Sequence, residues 1–389
     1  MAFSESDTAK LGYVTESSWG TTDSASRQLV RFTSEDLNDD ITPSESEEIT
    51  DDRQIDDVVQ VSRSAVGGFS HELSYGNVDD FLASALASTW SADYSYTAST
   101  ISYTSGTKTL ADSGSGFTPA SLPAGKWIQV VDNTNGTWYG RVSTTTATTS
   151  AIVFDYVIGS LSDHSAGTSV TIKSDGMLRN GTTKTSHTLE KEMNDVTQFF
   201  SYTGMRVGTA SLAFAAGEKV TGAFSFVGEK GARAGSSVGT GADTDAPTNQ
   251  IVTSAADISN ILEDGSATSE SYLSIDWSLD NGLRGQPEIA SLENAGVGYG
   301  KSRITLDISM YFQDGTAYDR YANNTAYNLS WMATDSAGNV YIFSALSAKP
   351  LTSASPITGP NADITLNQSL LCKRNSTYDA QFQIDRFDA

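Results

Sequence analysis

Three histidines, His71, His164 and His187, and one cysteine, Cys372, are the scarcest side chains able to do chemistry in this sequence. A metal site or an imidazole-based catalytic pair needs at least two such groups at suitable spacing, and no pair of these histidines has it. His71 and His187 fall inside strand-like alternation and His164 in a turn-rich stretch, so packing is the expected role of each. One cysteine excludes an internal disulfide and a thiolate metal cluster. No Gly-x-Ser-x-Gly elbow occurs, and the glycine-rich run 231–241 lacks the Lys-Ser/Thr ending of a phosphate loop. Carboxylates are abundant, but exposed pairs such as Asp39-Asp40 and Asp51-Asp52 lack the burial that would split their pKa values for acid–base work. The oxygen-rich stretches Asp132-x-x-x-Gly136 and Asp335-x-x-Gly338-Asn339 miss the full calcium-loop pattern and read as plain turns. No catalytic residue, metal or cofactor is expected.

The net charge is −23, from 47 acidic and 24 basic residues. Such a surface repels phosphate backbones and anionic membranes, which argues against ordinary nucleic-acid binding. It is compatible with DNA that must slide past without sticking. The N-terminus has neither the basic region nor the apolar run of a signal peptide. No stretch approaches the roughly 20 apolar residues of a membrane helix. The chain is therefore expected to stay in the cytoplasm where it is made, unless an assembly carries it out.

The elements read as all-β, with one or two short helices. Hydrophobic residues make up 38% of the chain, enough for a core, and Ser, Thr, Gly, Asp and Asn suit short strands joined by tight turns. The clearest alternations lie at 272–280 and 303–312. Ile275, Trp277 and Leu279 alternate there with Ser274, Asp276 and Ser278, and Ile304, Leu306 and Ile308 alternate with Thr305, Asp307 and Ser309. Residues 58–75 read as two strands around Gly67-Gly68, the second placing Phe69, His71 and Leu73 opposite Ser70, Glu72 and Ser74. A helix capped by Asn77 or Asp79 is expected to run to Thr89-Trp90, and a second to span 319–327. Residues 35–57 carry a dense acid run relieved only by Arg53, and read as an exposed loop or extended arm. Residues 97–175 are nearly neutral and rich in strand and turn signals, a small all-β module inserted into a main fold made of 1–96 and 176–389. Residues 228–250 read as a flexible loop.

Several stretches resemble the tail-tube protein family of siphophages. They are Arg31-Phe32-Thr33-Ser34-Glu35, residues 46–54, Gly68-x3-Glu72-Leu73-Ser74-Tyr75-Gly76, and Asp79-Asp80-x-Leu82-x2-Ala85-Leu86-x3-Trp90. Further pieces are Arg179-Asn180-Gly181-Thr182, Glu190-Lys191, Phe200-x3-Gly204 and Gly222-x-Phe224-Ser225-Phe226-x-Gly228. The resemblance covers about two-thirds of the chain, in order, and is less distinct after residue 240. It implies a β-sandwich with a flanking helix. It also implies hexameric rings that stack, with two hairpins per subunit forming a continuous inner β-barrel through which the genome leaves. The expected function is then a structural subunit of a virion tail, assembled in the host cytoplasm and not an enzyme. The partners implied are other copies of itself, tail terminator, tape measure and distal tail proteins, and DNA passing without specific binding.

On this reading Ser70, Glu72, Ser74, Ser274, Asp276, Ser278 and Asp307 face the lumen, and Glu45, Glu47, Glu48, Asp51, Asp52 and Arg53 contact the next ring. The 97–175 module decorates the outside. Trp127 and Trp138 of the module are either a glycan-binding surface or core residues of the module itself. The competing readings are a receptor-binding adhesin, with the module as its glycan-binding site, and an acidic extracellular hydrolase. The missing secretion signal weakens the hydrolase and any adhesin exported by a cell.

Overall fold

In a computed structural model the described residues are 3–49, 51, 53–357 and 359–389. Almost every element is an antiparallel strand, with two seven-residue helices, Asp79–Ala85 and Thr316–Ala322. The main body is one large sheet folded over on itself. Two long strands carry the fold-over by changing partners along their length. Strand Gln198–Ala215 pairs with Ser186–Met193 up to Met205, then with Thr221–Val227 and Tyr272–Asp280. The change falls next to Gly204, whose φ of +69° suits glycine. Strand Val340–Ala354 pairs with Tyr327–Thr334 and Phe382–Phe387, then with Thr365–Cys372, and Pro350 sits at the irregular register of that change.

The two layers meet through aromatic side chains. Phe214 lies edge-on to Trp331 and Phe343, with ring centroids 5.6 and 5.4 Å away, and Trp277 lies 5.4 Å from Phe382. The first helix adds Phe81, which touches Tyr13, Phe69, Phe224, Phe226 and His187 and has no exposed surface. Asp79, in that helix's first turn, accepts from Tyr341 and Arg386 and so ties the helix to the C-terminal strands.

Seven strands between Tyr94 and Ser174 form a separate sheet over their own apolar cluster. Two of them, Tyr94–Ala98 and Thr109–Asp112, were missed in the sequence, and the first begins ahead of residue 97. A third cluster joins this sheet to the main body: Trp127 and Tyr139 pack with Met332, Val340, Ile342 and Phe387.

Several expectations need correction. Residues 58–72 are one strand, not two: Gly67 and Gly68 make no turn but let other backbones approach, and a Cβ on Gly68 would lie 2.0 Å from the Phe224 carbonyl. Of the two readings of 35–57, the extended arm fits the pairing, since Asn38–Glu45 forms a hairpin with 58–66. The first helix stops at Ala85, where Ala87 takes a φ of +49°, and Asn77 does not cap it but bridges both backbone groups of Arg31. The second helix lies at 316–322 because Tyr327 already begins a strand. The 228–250 stretch is not a loose loop. Lys230–Ala234 is a strand, and beyond it Asp243 grips the buried Arg27 while Ser237 and Val238 bond Glu190.

Asp385 sits where the two sheets meet, accepting from the Trp127 amide at 3.2 Å and from Gln383 Nε2. Burial pushes its carboxyl up to about 7, against the pull of the Gln383 bond and nearby Arg179. In an unfolded chain Asp titrates near about 3.9. Between those values the native state holds a proton that the unfolded chain has lost, so this contribution is full below about pH 4 and disappears as pH rises through 7. Asp385→Asn should therefore gain in melting temperature relative to the wild type as pH is raised from 4 to 8. Parallel melting curves for the two proteins across that range would contradict this account.

Candidate functional site

Seven strands line up in register to make the wall on which the functional reading turns. One row runs Glu72, Thr221, Ala213, Asp276, Asp307, Ser369 and Thr352, each opposite the next. A parallel row runs Ser70, Ala223, Ser211, Ser278, Thr305, Leu371 and Lys349. Between them, pointing the other way, lies His71, Gly222, Leu212, Trp277, Leu306, Leu370 and Pro350, all in the core or at its edge. Period-two alternation produces this sorting, and a one-residue slip in any strand would exchange the faces. Gly222 makes room for the His71 ring, whose Cε1 would stand 2.6 Å from a Cβ.

The exposed face is low and polar. Its short side chains bond across strands, Ser278 to Thr305 at 2.7 Å and Thr209 to Ser225 at 2.6 Å. Two carboxylates, Asp276 and Asp307, stand directly opposite each other. Partial burial raises the Asp276 pKa, and the facing Asp307 raises it further. Glu72 is held by Lys219. Six of the seven lumen candidates, Ser70, Glu72, Ser274, Asp276, Ser278 and Asp307, share this face. Ser74 does not: the strand ends at Glu72, and Ser74 is wholly buried with its hydroxyl accepting from Arg31 at 3.3 Å. Alternation had been extended two residues too far.

The wall is open at its edge. Strand 340–354 has Thr365–Cys372 on one side through Ala354, but its other side loses Tyr327–Thr334 beyond Ala348. Among the described residues nothing pairs with the backbone of 349–354 on that side, a feature single-chain proteins usually cover. At the other margin the 38–45/58–66 ribbon projects past the sheet. Glu45, Glu47, Glu48, Asp51 and Arg53 are all exposed on it, while Asp52 lies outside the described residues. Reading only the charges missed that this ribbon also exposes Ile41, Ile49, Ile55, Val58, Val59 and Val61. The aliphatics interspersed among the acids were the available signal, since a merely solvated loop has no use for them.

The chemistry-bearing side chains among the described residues are buried or engaged in packing and turns. His71 and His187 are buried, and burial brings each down to about 4. His164 is buried beside Thr134 and Thr168. The Asp132 and Asp335 carboxylates are occupied by amides of their own turns. Among the described residues no group of three acidic, His or Cys side chains is arranged for a metal ion, and no helix is long and apolar enough to cross a membrane. Trp127 and Trp138 are buried, with their indole N–H groups donated to Ser344 and Asp132, so neither offers a sugar-stacking platform.

A sequence model of the phage tail tube protein family matches residues 6–380. The chain belongs to this family. No curated protein matches it. It is therefore a structural, non-enzymatic component of the virion tail, a subunit that self-assembles into the tail tube. Membership decides against the adhesin and hydrolase readings, and the match extends through the C-terminal third, where the sequence resemblance was indistinct.

The facing pair Asp276–Asp307 gives a test of the wall's electrostatics. Like charges directly across an antiparallel pair destabilise by about 0.2–1 kcal/mol. Asp276→Asn should raise the unfolding free energy of the isolated subunit by about that amount at pH 7. Because the native pKa of Asp276 is raised, the gain should fade in acid, where the carboxyl is protonated in both folded and unfolded states. Denaturant melts at pH 7 and pH 3 would show it, and an undiminished gain at pH 3 would refute the electrostatic origin.

Proposed function

We propose that the chain is the tail-tube subunit of a siphophage and that six copies close edge to edge into a ring whose inner barrel is the polar wall described above. The observation that carries this reading is the seven-strand wall itself: one face completes the core, the other is polar and unpartnered, and one edge ends in unpaired backbone. Pairing of residues 349–354 with a neighbouring copy would remove that edge, as closure does in any barrel. The lumen is then lined by Ser70, Ser274 and Ser278, which give DNA little to grip, and by Glu72, Asp276 and Asp307, which repel its phosphates.

Beyond Arg63, which still bonds Gly231 and Leu292, the ribbon reaches roughly 15 Å past the body at the usual rise of a strand. With Glu45, Glu47, Glu48, Asp51 and Arg53 at its tip and aliphatic residues along its stem, it is suited to lie against the next ring. The 97–175 module sits outside the tube in this arrangement, anchored by Trp127. The tail terminator, tape measure and distal tail proteins are the further partners, meeting the tube at its ends and in its lumen.

Electron microscopy of the purified chain tests the proposal. Hexameric rings and tubes with a central channel are expected. Deletion of residues 46–57 with a short turn in their place should leave the subunit folded, by circular dichroism and melting, while abolishing tube growth. Tubes of normal length from the deletion variant would remove the arm from ring stacking. A wild-type chain that stayed monomeric under all conditions, including within virions, would overturn the whole reading.

A further inference from the structure

The strand registers give the wall two distinct ends. At one end lie the ribbon and the 281–302 connection; at the other lie the 216–219 turn, the 312–316 segment and the 355–364 connection. Five basic side chains gather at the first end around Tyr299. The Lys184 ammonium and the Arg206 guanidinium lie 5.6 and 5.8 Å from its ring, Arg284 donates to its carbonyl, and Lys301 and Arg303 follow it in sequence.

None of the five forms an ion pair among the described residues, although the chain has about twice as many acids as bases. Asp280 lies across the strand from Arg303, but it accepts from the amide of Gly282, and Glu16 acts on Arg206 only at longer range. Lys184, Arg284, Lys301 and Arg303 are exposed. Lys184 and Tyr299 line a cavity of about 190 Å³ together with Asn180, Thr182, Asn281 and Ser302, and among the described residues the buried hydroxyls of Tyr299 and Ser302 have no partner.

The far end is acidic. Among the described residues Glu218 and Asp363 are exposed with no bonded partner for their carboxylates, and Asp314 bonds Thr316 of its own loop, with Arg320 acting on it at longer range. Lys219, the neighbouring base, is taken by Glu72. Nine residues of strand separate the two ends, roughly 30 Å. That is several times the Debye length of about 8 Å at physiological salt, so the ends cannot compensate each other within a subunit.

We infer that the basic cluster around Tyr299 is the receptor for the Glu218, Asp314 and Asp363 carboxylates of a second copy in the adjacent ring. This deepens the tube reading and rests on it. A head-to-tail contact between unlike surfaces propagates without closing, which is what a tube of stacked rings requires.

The experiment uses charge reversal in the full-length chain, with growth followed by light scattering and electron microscopy. Arg284→Glu with Lys301→Glu should cut tube yield at least tenfold at 0.15 M salt while leaving the melting temperature unchanged. Glu218→Lys with Asp314→Lys should do the same, and mixing or combining the two sets should restore growth. Wild-type growth should slow as salt is raised to 1 M. Normal tubes from both reversal variants, while the arm deletion still blocks growth, would overturn this inference and leave the tube reading standing. Failure of the wild type to form tubes at all would overturn both. If basic-end reversal left growth intact and instead lowered duplex DNA retention, the cluster's partner would be phosphate and the inference would be wrong.

Discussion

Burial of one side chain in two, along seven strands in a common register, is the constraint from which the rest of this protein follows. Ile275, Trp277 and Leu279 must be inward together, as must Ile304, Leu306 and Ile308, because any slip would put an Asp in their place. Once the inward set is fixed, the outward set is fixed with it. A polar face of Ser, Thr, Ala and a few carboxylates is then produced without any residue on it contributing much to the core. The subunit can leave that face bare because its stability comes from the other side.

The same logic explains why the far layer tolerates buried charge. Arg27 is almost wholly buried, yet it meets Glu190 at 2.7 Å, Glu192 at 2.5 Å and Asp243 at 2.7 Å. Removing one member of such a set is costly, about 3–5 kcal/mol, because the others remain buried without compensation. This network holds the glycine-rich stretch after residue 234 against the sheet. Asp79 does comparable work for the first helix, which is too short to be stable without the strands around it. Polar groups therefore join elements far apart in sequence, while the apolar groups define the layers.

In the proposed tube, assembly draws on what folding leaves unsatisfied. The unpaired backbone at 349–354, the aliphatic stem of the ribbon and the unmatched basic cluster around Tyr299 are each unfavourable or wasteful in a lone subunit. They lie on different parts of the surface, the first at the side of the wall and the others at one end. A side contact and an end contact are the two kinds that a tube built from rings needs.

The sequence by itself determined the local facts that depend on neighbours along the chain. The all-β class, the alternating strands at 272–280 and 303–311, the hairpin turn at 335–339, the absence of a catalytic motif and the family resemblance were all legible, because a period of two and turn chemistry are written in consecutive residues. Six of the seven wall residues could be chosen on that basis. Only the tertiary structure decided what depends on partners distant in the chain. Ser74 looked like Ser70 and Glu72 until Arg31, more than forty positions away, was seen to enclose it. The acid run at 35–57 read as a loop or an extended arm, and its pairing was not legible because a two-stranded ribbon wet on both faces has no alternation to display. Trp127 and Trp138 could be placed only by the surfaces packed against them. Which strands join into one wall, and which of its edges stays open, is a matter of backbone pairing between remote segments, and no pattern within a single strand encodes it.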